Sequence, residues 1–413
     1  MFSLKIVHIN TSDIRGGAAI AAHRLHRTLL RNNIDSKMLV MKKDSDEKEV
    51  IKTKDNSFEK HILSKIRVLF RKAILYRYRN RKDIIFSPAK FGLDITKNKV
   101  VQEADVIHLH WVVGGYLSLN SLDKLFSLNK KIVWTLHDMW TFTGGCHYSN
   151  TCNKYIDSCG ECPILNSNKK NDLSRKIFER KSEIYQERDI KIIACSDWLG
   201  ECAKKSNLLK NKNVNIIPNV LDENVFKHID QNIAKVILNL DKNKKYILFG
   251  AINSTGDDRK GWKYLKEALN IIDKNNSLSN NEVELLVFGS SYSENIDSLP
   301  FKVQFLGRLY DEYSLSLVYN ASDVFVGPSL EEAFGQTFNE SIFCGTPAIS
   351  FEGTGTEDII DHRVNGYLAE HKSSEDLAKG IVWSLNNLQN ANIKNDSLKS
   401  EKILEKILDI YKK

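Results

Sequence analysis

Short apolar runs alternate with longer amphipathic stretches along almost the whole chain. Leu4, Ile6, Val7 and Ile9 open with a strand, and Gly16, Gly17 and Ala18 start a helix that runs to Leu30. Residues 37–41, 106–110, 132–136 and 190–195 read as further short strands, and 198–204 as a helix after the last of them. The rhythm restarts beyond Ile216, Ile217, Pro218 and Asn219. Strands are expected at 246–250, 283–289, 303–306, 324–326 and 348–351, with helices at 261–272, 315–321 and 337–344. Alternation of this kind implies parallel sheets with helices on both faces. The polar stretch 44–55 reads as a loop, and a last helix at 398–411 follows the Asn-rich stretch 386–395. The expected architecture is therefore α/β, with two doubly wound, Rossmann-like domains. They span 1–215 and 216–395, followed by the helix of about 396–413. Ligands of such sheets sit beyond the carboxyl ends of the strands, so the chemistry is sought in the loops that follow them.

Composition narrows the class. The 413 residues are 42% hydrophobic and 27% charged, which excludes a disordered tail, a collagen and a coiled-coil rod. The net charge of +8 is local: residues 60–82 hold nine Lys or Arg and no Asp or Glu, and the remainder sums to −1. In that segment Ile62, Leu63, Ile66, Leu69, Phe70, Ala73 and Ile74 recur at offsets of three and four between the cations. A basic amphipathic helix of this kind is expected to lie on an anionic membrane surface. Only Phe70, Tyr76 and Tyr78 would stack on bases and no nucleic-acid module accompanies them, so no nucleic-acid partner is expected. The N-terminus lacks the pattern of a signal peptide, no run reaches the ~20 apolar residues of a membrane helix, and the Cys count of seven is odd. The expected place is the cytoplasm, peripheral to the cytoplasmic face of the inner membrane.

The most specific segment is Pro328-Ser-Leu-Glu-Glu-Ala-Phe-Gly-Gln-Thr-Phe-Asn-Glu340, continued by Cys344-Gly-Thr-Pro347. Glu332 and Glu340 are eight apart, about 80° out of line on one helix. Gly335 instead places Glu332 in a loop and Glu340 inside the helix. The backbone N–H groups of Phe334, Gly335 and Gln336 then sit at the helix start, suited to phosphate or hydroxyl groups.

This segment resembles the Glu-x7-Glu signature of retaining glycosyltransferases of family 4, which have the GT-B fold. Gly16-Gly17-Ala18, Ile217-Pro218-Asn219, Phe305-Leu306-Gly307, Ala321-Ser-Asp-Val324 and Asn365-Gly366 extend the likeness over nearly the whole chain. Trp134-Thr-Leu-His-Asp-Met-Trp140 and Gly144-Gly-Cys-His-Tyr148 are similar to a subgroup of exopolysaccharide, colanic-acid and O-antigen synthesis. The resemblance implies a sugar transferred from a nucleotide-diphosphate donor to a glycan hydroxyl, with a lipid-linked oligosaccharide as acceptor. It implies two domains facing a central cleft, the first holding the acceptor and the second the donor, with the helix of about 396–413 expected to pack back on the first. A GT-B-fold sugar-nucleotide epimerase is the alternative.

By position, the resemblance puts Glu332 beside the donor sugar, Glu340 on the ribose hydroxyls, the Gly17 amide near the diphosphate and His137 near the sugar hydroxyls. Lys260 matches the lysine that pairs with the diphosphate. The arginine expected directly after Gly250 is replaced by Ala251-Ile252, and Arg259 is the nearest substitute. Cations at a leaving diphosphate stabilise the charge that builds there, so no cofactor is expected for catalysis. Asp44-Ser45-Asp46 lies in the charged loop and reads as surface. Asp138 follows a strand as His137 does. His108 and His110 share a strand face, and for His110 and Trp111 both acceptor contact and core packing are open. Cys146, Cys152, Cys159 and Cys162 are spaced C-x5-C-x6-C-x2-C, which fits either a structural zinc or four small buried hydrophobes.

Overall fold

The computed structural model describes residues 4–53, 74–250, 257–289, 299–309, 311–388 and 396–413. The chain divides into two compact units, Met1–Val220 with Ile403–Lys413, and Leu221–Lys402.

The first unit is built on β1 (Lys5–Ser12), β2 (Asp35–Lys42), β3 (Val50–Lys52), β4 (Val106–Leu109), β5 (Lys131–Leu136), β6 (Ile190–Ala194) and β7 (Val214–Ile216). They form one parallel sheet in the order β3-β2-β1-β4-β5-β6-β7. Its helices are α1 (Gly17–Arg31), α2 (Lys99–Glu103), α3 (Leu119–Phe126), α4 (Leu173–Tyr185) and α5 (Asp197–Lys205). Both faces of a parallel sheet are covered, which is why the strands read as nearly unbroken apolar runs. Helix starts are marked chemically: Ser118, Asp172 and Ser196 each accept a backbone N–H of the first turn they precede.

One expectation fails here. Within the stretch read as a loop, Val50 and Ile51 pair in parallel with Met38 and Leu39. A three-residue edge strand is too short to show a periodicity, and only the burial of Val50 (1% exposed) betrays it.

The second unit holds α6 (Gln231–Ile237), β8 (Lys245–Gly250), α7 (Trp262–Lys274), β9 (Val283–Phe288), β10 (Lys302–Gly307) and α8 (Glu312–Ala321). It continues with β11 (Val324–Val326), α9 (Gln336–Phe343), β12 (Ala348–Phe351), β13 (Gly366–Ala369) and α10 (Ser374–Asn387). The sheet order is β10-β9-β8-β11-β12-β13. Leu377, Ala378, Ile381 and Leu385 of α10 pack with Leu265, Ala268 and Leu269 of α7 in its core.

The final helix, α11 (Ser400–Lys412), turns Ile403, Leu404, Ile407, Ile410 and Tyr411 onto one stripe. That stripe packs on Ile6, Leu25, Leu29, Val106 and Val133 in the core of the first unit.

In both sheets the strand order reverses direction once, between β1 and β4 and between β8 and β11. These are the switch points where doubly wound sheets bind ligands. Among the described residues no helix is long and apolar enough to cross a membrane. Most of the basic amphipathic segment falls outside the described residues. In the rest of it, Tyr76 is exposed and the Tyr78 hydroxyl accepts the Leu173 N–H at 3.2 Å.

Candidate active site

At the switch point of the first unit the end of β1 and the loop after β4 are tied together. Trp111 N donates to Asn10 Oδ1 at 2.8 Å, and Thr11 N donates to Trp111 O at 2.9 Å. Gly16 precedes α1 with φ of 95°, and a Cβ there would meet nothing within 4 Å. Conformation, rather than space, therefore requires glycine at that turn. Gly17 is the first residue of α1. Asp44 is ion-paired with Arg15 at 2.7 Å, while its backbone N–H donates to Asp13.

A file of imidazoles runs across the strand ends. His8 Nδ1 lies 3.0 Å from His110 Nε2, and His110 Nδ1 lies 3.1 Å from His137 Nε2. His108 stacks on His110 at 4.3 Å between centroids and bonds Thr135 Oγ1 and the Tyr411 hydroxyl. Burial pushes the basicity of all four down, His108 to about 3 and His137 to about 4. At neutral pH they are uncharged, each with one N–H to give. Both nitrogens of His110 are taken by neighbouring rings, and His110 is 4% exposed.

Asp138 turns to the other side of the same loop. Its Oδ2 receives His147 Nδ1 at 2.6 Å and the Trp111 indole N–H at 2.9 Å, and its Oδ1 receives Trp140 N at 2.8 Å. Burial alone would raise this carboxyl, but His147 and the donors outweigh it and hold it below the usual range. Asp138 thus orients Trp111 and His147, while His137, half-buried, ends the imidazole file.

In the second unit a 3-10 turn at Asp258–Lys260 is held against the loop after β11. Gly261 (φ 73°) lies so close that a Cβ would stand 1.9 Å from Pro328 O, and Leu330 N donates to Arg259 O at 2.8 Å. This brings Lys260 Nζ to 2.7 Å from Glu332 Oε2. Arg259 Nη1 donates to Glu331 O at 2.9 Å and stands 3.9 Å from the same carboxylate. Burial pushes the Glu332 carboxyl up, but Lys260 and Arg259 prevail and keep it ionised below the ordinary range.

Glu332 stands in the loop and α9 begins after Gly335 (φ 93°), matching the helix start read from that glycine. A Cβ at Gly335 would strike Phe338 and Thr356. Glu340 lies inside α9, 4% exposed, and accepts the Tyr319 hydroxyl at 3.1 Å. Phe334 is buried beneath the loop, and Gln336 is the first helical residue, at the positive end of the dipole. Two cations, a carboxylate and a helix N-terminus at one switch point suit a phosphorylated ligand that also carries hydroxyl groups.

The family model "Glycosyltransferase Family 4" matches residues 15–225, and "Glycosyl transferases group 1" matches 230–399. The chain belongs to glycosyltransferase family 4. The glycosyltransferase is 26% identical over 194 residues to the putative colanic acid biosynthesis glycosyl transferase WcaC of Escherichia coli K12. That match takes in 45% of this chain and 46% of the relative, so it spans about half of each. In fold it is similar to a sucrose-phosphate synthase of Thermosynechococcus elongatus, with TM-score 0.64, 18% identity and 99% and 98% of the two chains covered. It is likewise similar to Anabaena Alr3699/HepE in complex with UDP and glucose, with TM-score 0.60, 17% identity and 98% of each chain covered. The fold of the glycosyltransferase is GT-B.

Three contributors to these clusters were not singled out as site residues from the sequence. His8 sits on β1, His147 lies nine residues beyond Asp138, and Tyr411 reaches His108 across 303 residues. Of these only His147 stands in a distinctive stretch, Gly144-Gly-Cys-His-Tyr148. Cys146, Cys159 and Cys162 are buried and Cys152 half-buried, all as free thiols. Cys195 and Cys344 are core residues, and Cys202 is half-buried.

Proposed function

We propose that this glycosyltransferase moves a hexose from a nucleotide-diphosphate sugar to a hydroxyl of a lipid-linked glycan, with retention of anomeric configuration, in assembly of a bacterial surface polysaccharide. The Lys260–Glu332 pair beside the start of α9 carries the reading. In this reading the bond from C1 to the diphosphate oxygen breaks while C1 bonds the acceptor oxygen on the same face. The acceptor proton leaves with the phosphate. Lys260 and Arg259 hold the diphosphate as its charge grows, a role in which preorganised donors are worth several kcal/mol. Glu332 orients the sugar, Glu340 takes the ribose hydroxyls, and the first-turn amides of α9 and of α1 at Gly17 face phosphate oxygens. His137 hydrogen-bonds a sugar hydroxyl. The transfer itself uses no metal. The name of the E. coli relative supports the pathway class, and the UDP and glucose held by the Anabaena protein make UDP-hexoses the first donors to try.

The test is a panel of UDP- and GDP-sugars, scored by thermal shift and then by turnover on lipid-linked acceptors, with the product anomer read by NMR. Retained configuration supports the proposal. An inverted product, or conversion of the donor to an isomer without acceptor, overturns it.

A further inference from the structure

Residues between Phe142 and α4 form a long segment whose only regular structure, among the described residues, is a 3-10 turn at Lys154–Ile156. Segments of this length without regular structure are uncommon in compact domains, and something must hold them. The backbone is also contorted: Gly145, Asn150, Gly160, Glu161 and Asn166 all have positive φ. Such residues persist only where the surroundings over-determine them.

Cys146, Cys152, Cys159 and Cys162 line one small cavity inside this segment, beside Thr143, Gly144 and Tyr155. Burial pushes the thiols of Cys146, Cys159 and Cys162 above their ordinary range, and nearby backbone donors offset part of that. Gly144 N donates to Cys159 Sγ at 3.2 Å, and the backbone amides of Leu165 and Ile164 partly counter the effect of burial on Cys162. N–H donors two and three residues after the second Cys of a Cys-x-x-Cys pair favour thiolate over thiol.

A buried lysine lies close to the same segment. Lys181 is 0% exposed, with its ammonium 3.6 Å above the Trp140 ring and bonded to the carbonyls of Trp140 and Thr143. Among the described residues no carboxylate lies within ion-pair distance of it. A buried ammonium needs a counter-charge. Burial pushes Lys181 down to about 7, while Cys146, Cys159 and Asp138 each favour its charged form.

We propose that Cys146, Cys152, Cys159 and Cys162 bind one zinc ion that staples this segment to the first unit. Four thiolates on Zn2+ leave a net charge of about −2, which Lys181 partly offsets. No three of the sulfurs lie within 4.8 Å of one another, so loading draws them inward, toward the ~3.8 Å spacing that Zn–S bonds impose. With all four positions filled by sulfur the ion takes no part in transfer. It fixes the loop in which His147 grips Asp138.

The test uses the full chain purified without chelator from zinc-replete cells. Elemental analysis should find about one zinc per chain, and Cys159→Ser and Cys162→Ser should each abolish it, while Cys202→Ser keeps it. Cobalt grown into the protein should give thiolate-to-cobalt charge-transfer bands and tetrahedral d–d bands. Should the serine variants not fold, mercurial titration of the wild-type chain replaces them: zinc released to an indicator in step with modification of four thiols supports the site. A chain without zinc, zinc retained in both serine variants, or an iron–sulfur chromophore overturns it.

Discussion

Acidification tests the buried imidazoles of the first unit. His8, His26, His108 and His110 are each at most 4% exposed, and burial pushes every one below its ordinary value, His26 and His108 to about 3. In the unfolded chain the same groups titrate near 6.5. Between about pH 6.5 and 3 the unfolded state therefore binds more protons, and stability falls as pH drops through that window. Above it these groups give no slope. One unit below the unfolded value, at about pH 5.5, each excluded proton costs about 1 kcal/mol, so the four together cost about 4–6 kcal/mol. That is comparable to the ~5–15 kcal/mol that holds a typical domain together. For a unit of this size the melting temperature should fall by about 10–20 °C between about pH 7.5 and 5.5. Trp111, Trp134, Trp140 and Trp198 belong to the first unit, so fluorescence melts report chiefly on it. His26→Asn should remove about one proton from the slope. A first unit whose melting temperature moves by less than ~3 °C over this range would refute the argument.

Lys260→Met should destabilise the second unit by about 1–3 kcal/mol, because Glu332 loses its nearest cation while Arg259 remains. Adding Glu332→Gln should recover part of that loss in chemical melts, and strictly additive effects would show that the pair is not coupled. Glu332→Gln should lower transfer by about 100-fold or more with the fold intact, whereas Glu340→Ala should chiefly weaken donor binding by calorimetry. Brief treatment with EDTA should leave turnover unchanged, and a loss restored by magnesium or manganese would refute transfer without a metal. Gly261→Ala should cost about 2 kcal/mol or more in a denaturant melt, since its Cβ would meet Pro328 O at 1.9 Å in a left-handed turn.

Much of this architecture is legible because a parallel sheet buries both faces of its strands. Val283–Phe288 and Ala348–Phe351 announce themselves as apolar runs, and Gly335 announces a helix start after Glu332. The Lys260–Glu332 meeting was not legible as geometry, since it depends on Gly261 lying against Pro328. β3 escaped because three residues carry no period, and β13 and α10 because nothing in their sequence stood out beside the Asn-rich stretch. The imidazole file escaped for a different reason. His8 lies on β1, His110 directly after β4 and His137 directly after β5, and only the register that sets His8 opposite His108 shows that they meet. A lone histidine in an apolar strand gives no sign of its neighbours.

The packing of α11 on the first unit sets the order in which the chain can finish folding. A ribosome delivers the second unit entire while Ile6, Leu25, Leu29 and Val106 still lack the stripe from Ile403 to Tyr411 that covers them. His108 waits equally for the hydroxyl of Tyr411. The unit synthesised first is thus the unit completed last, and its open apolar face is a natural client for chaperones during that interval. A premature stop near residue 400 would spare every strand of both sheets yet leave that face bare, so nonsense products of this length should aggregate rather than accumulate as soluble protein.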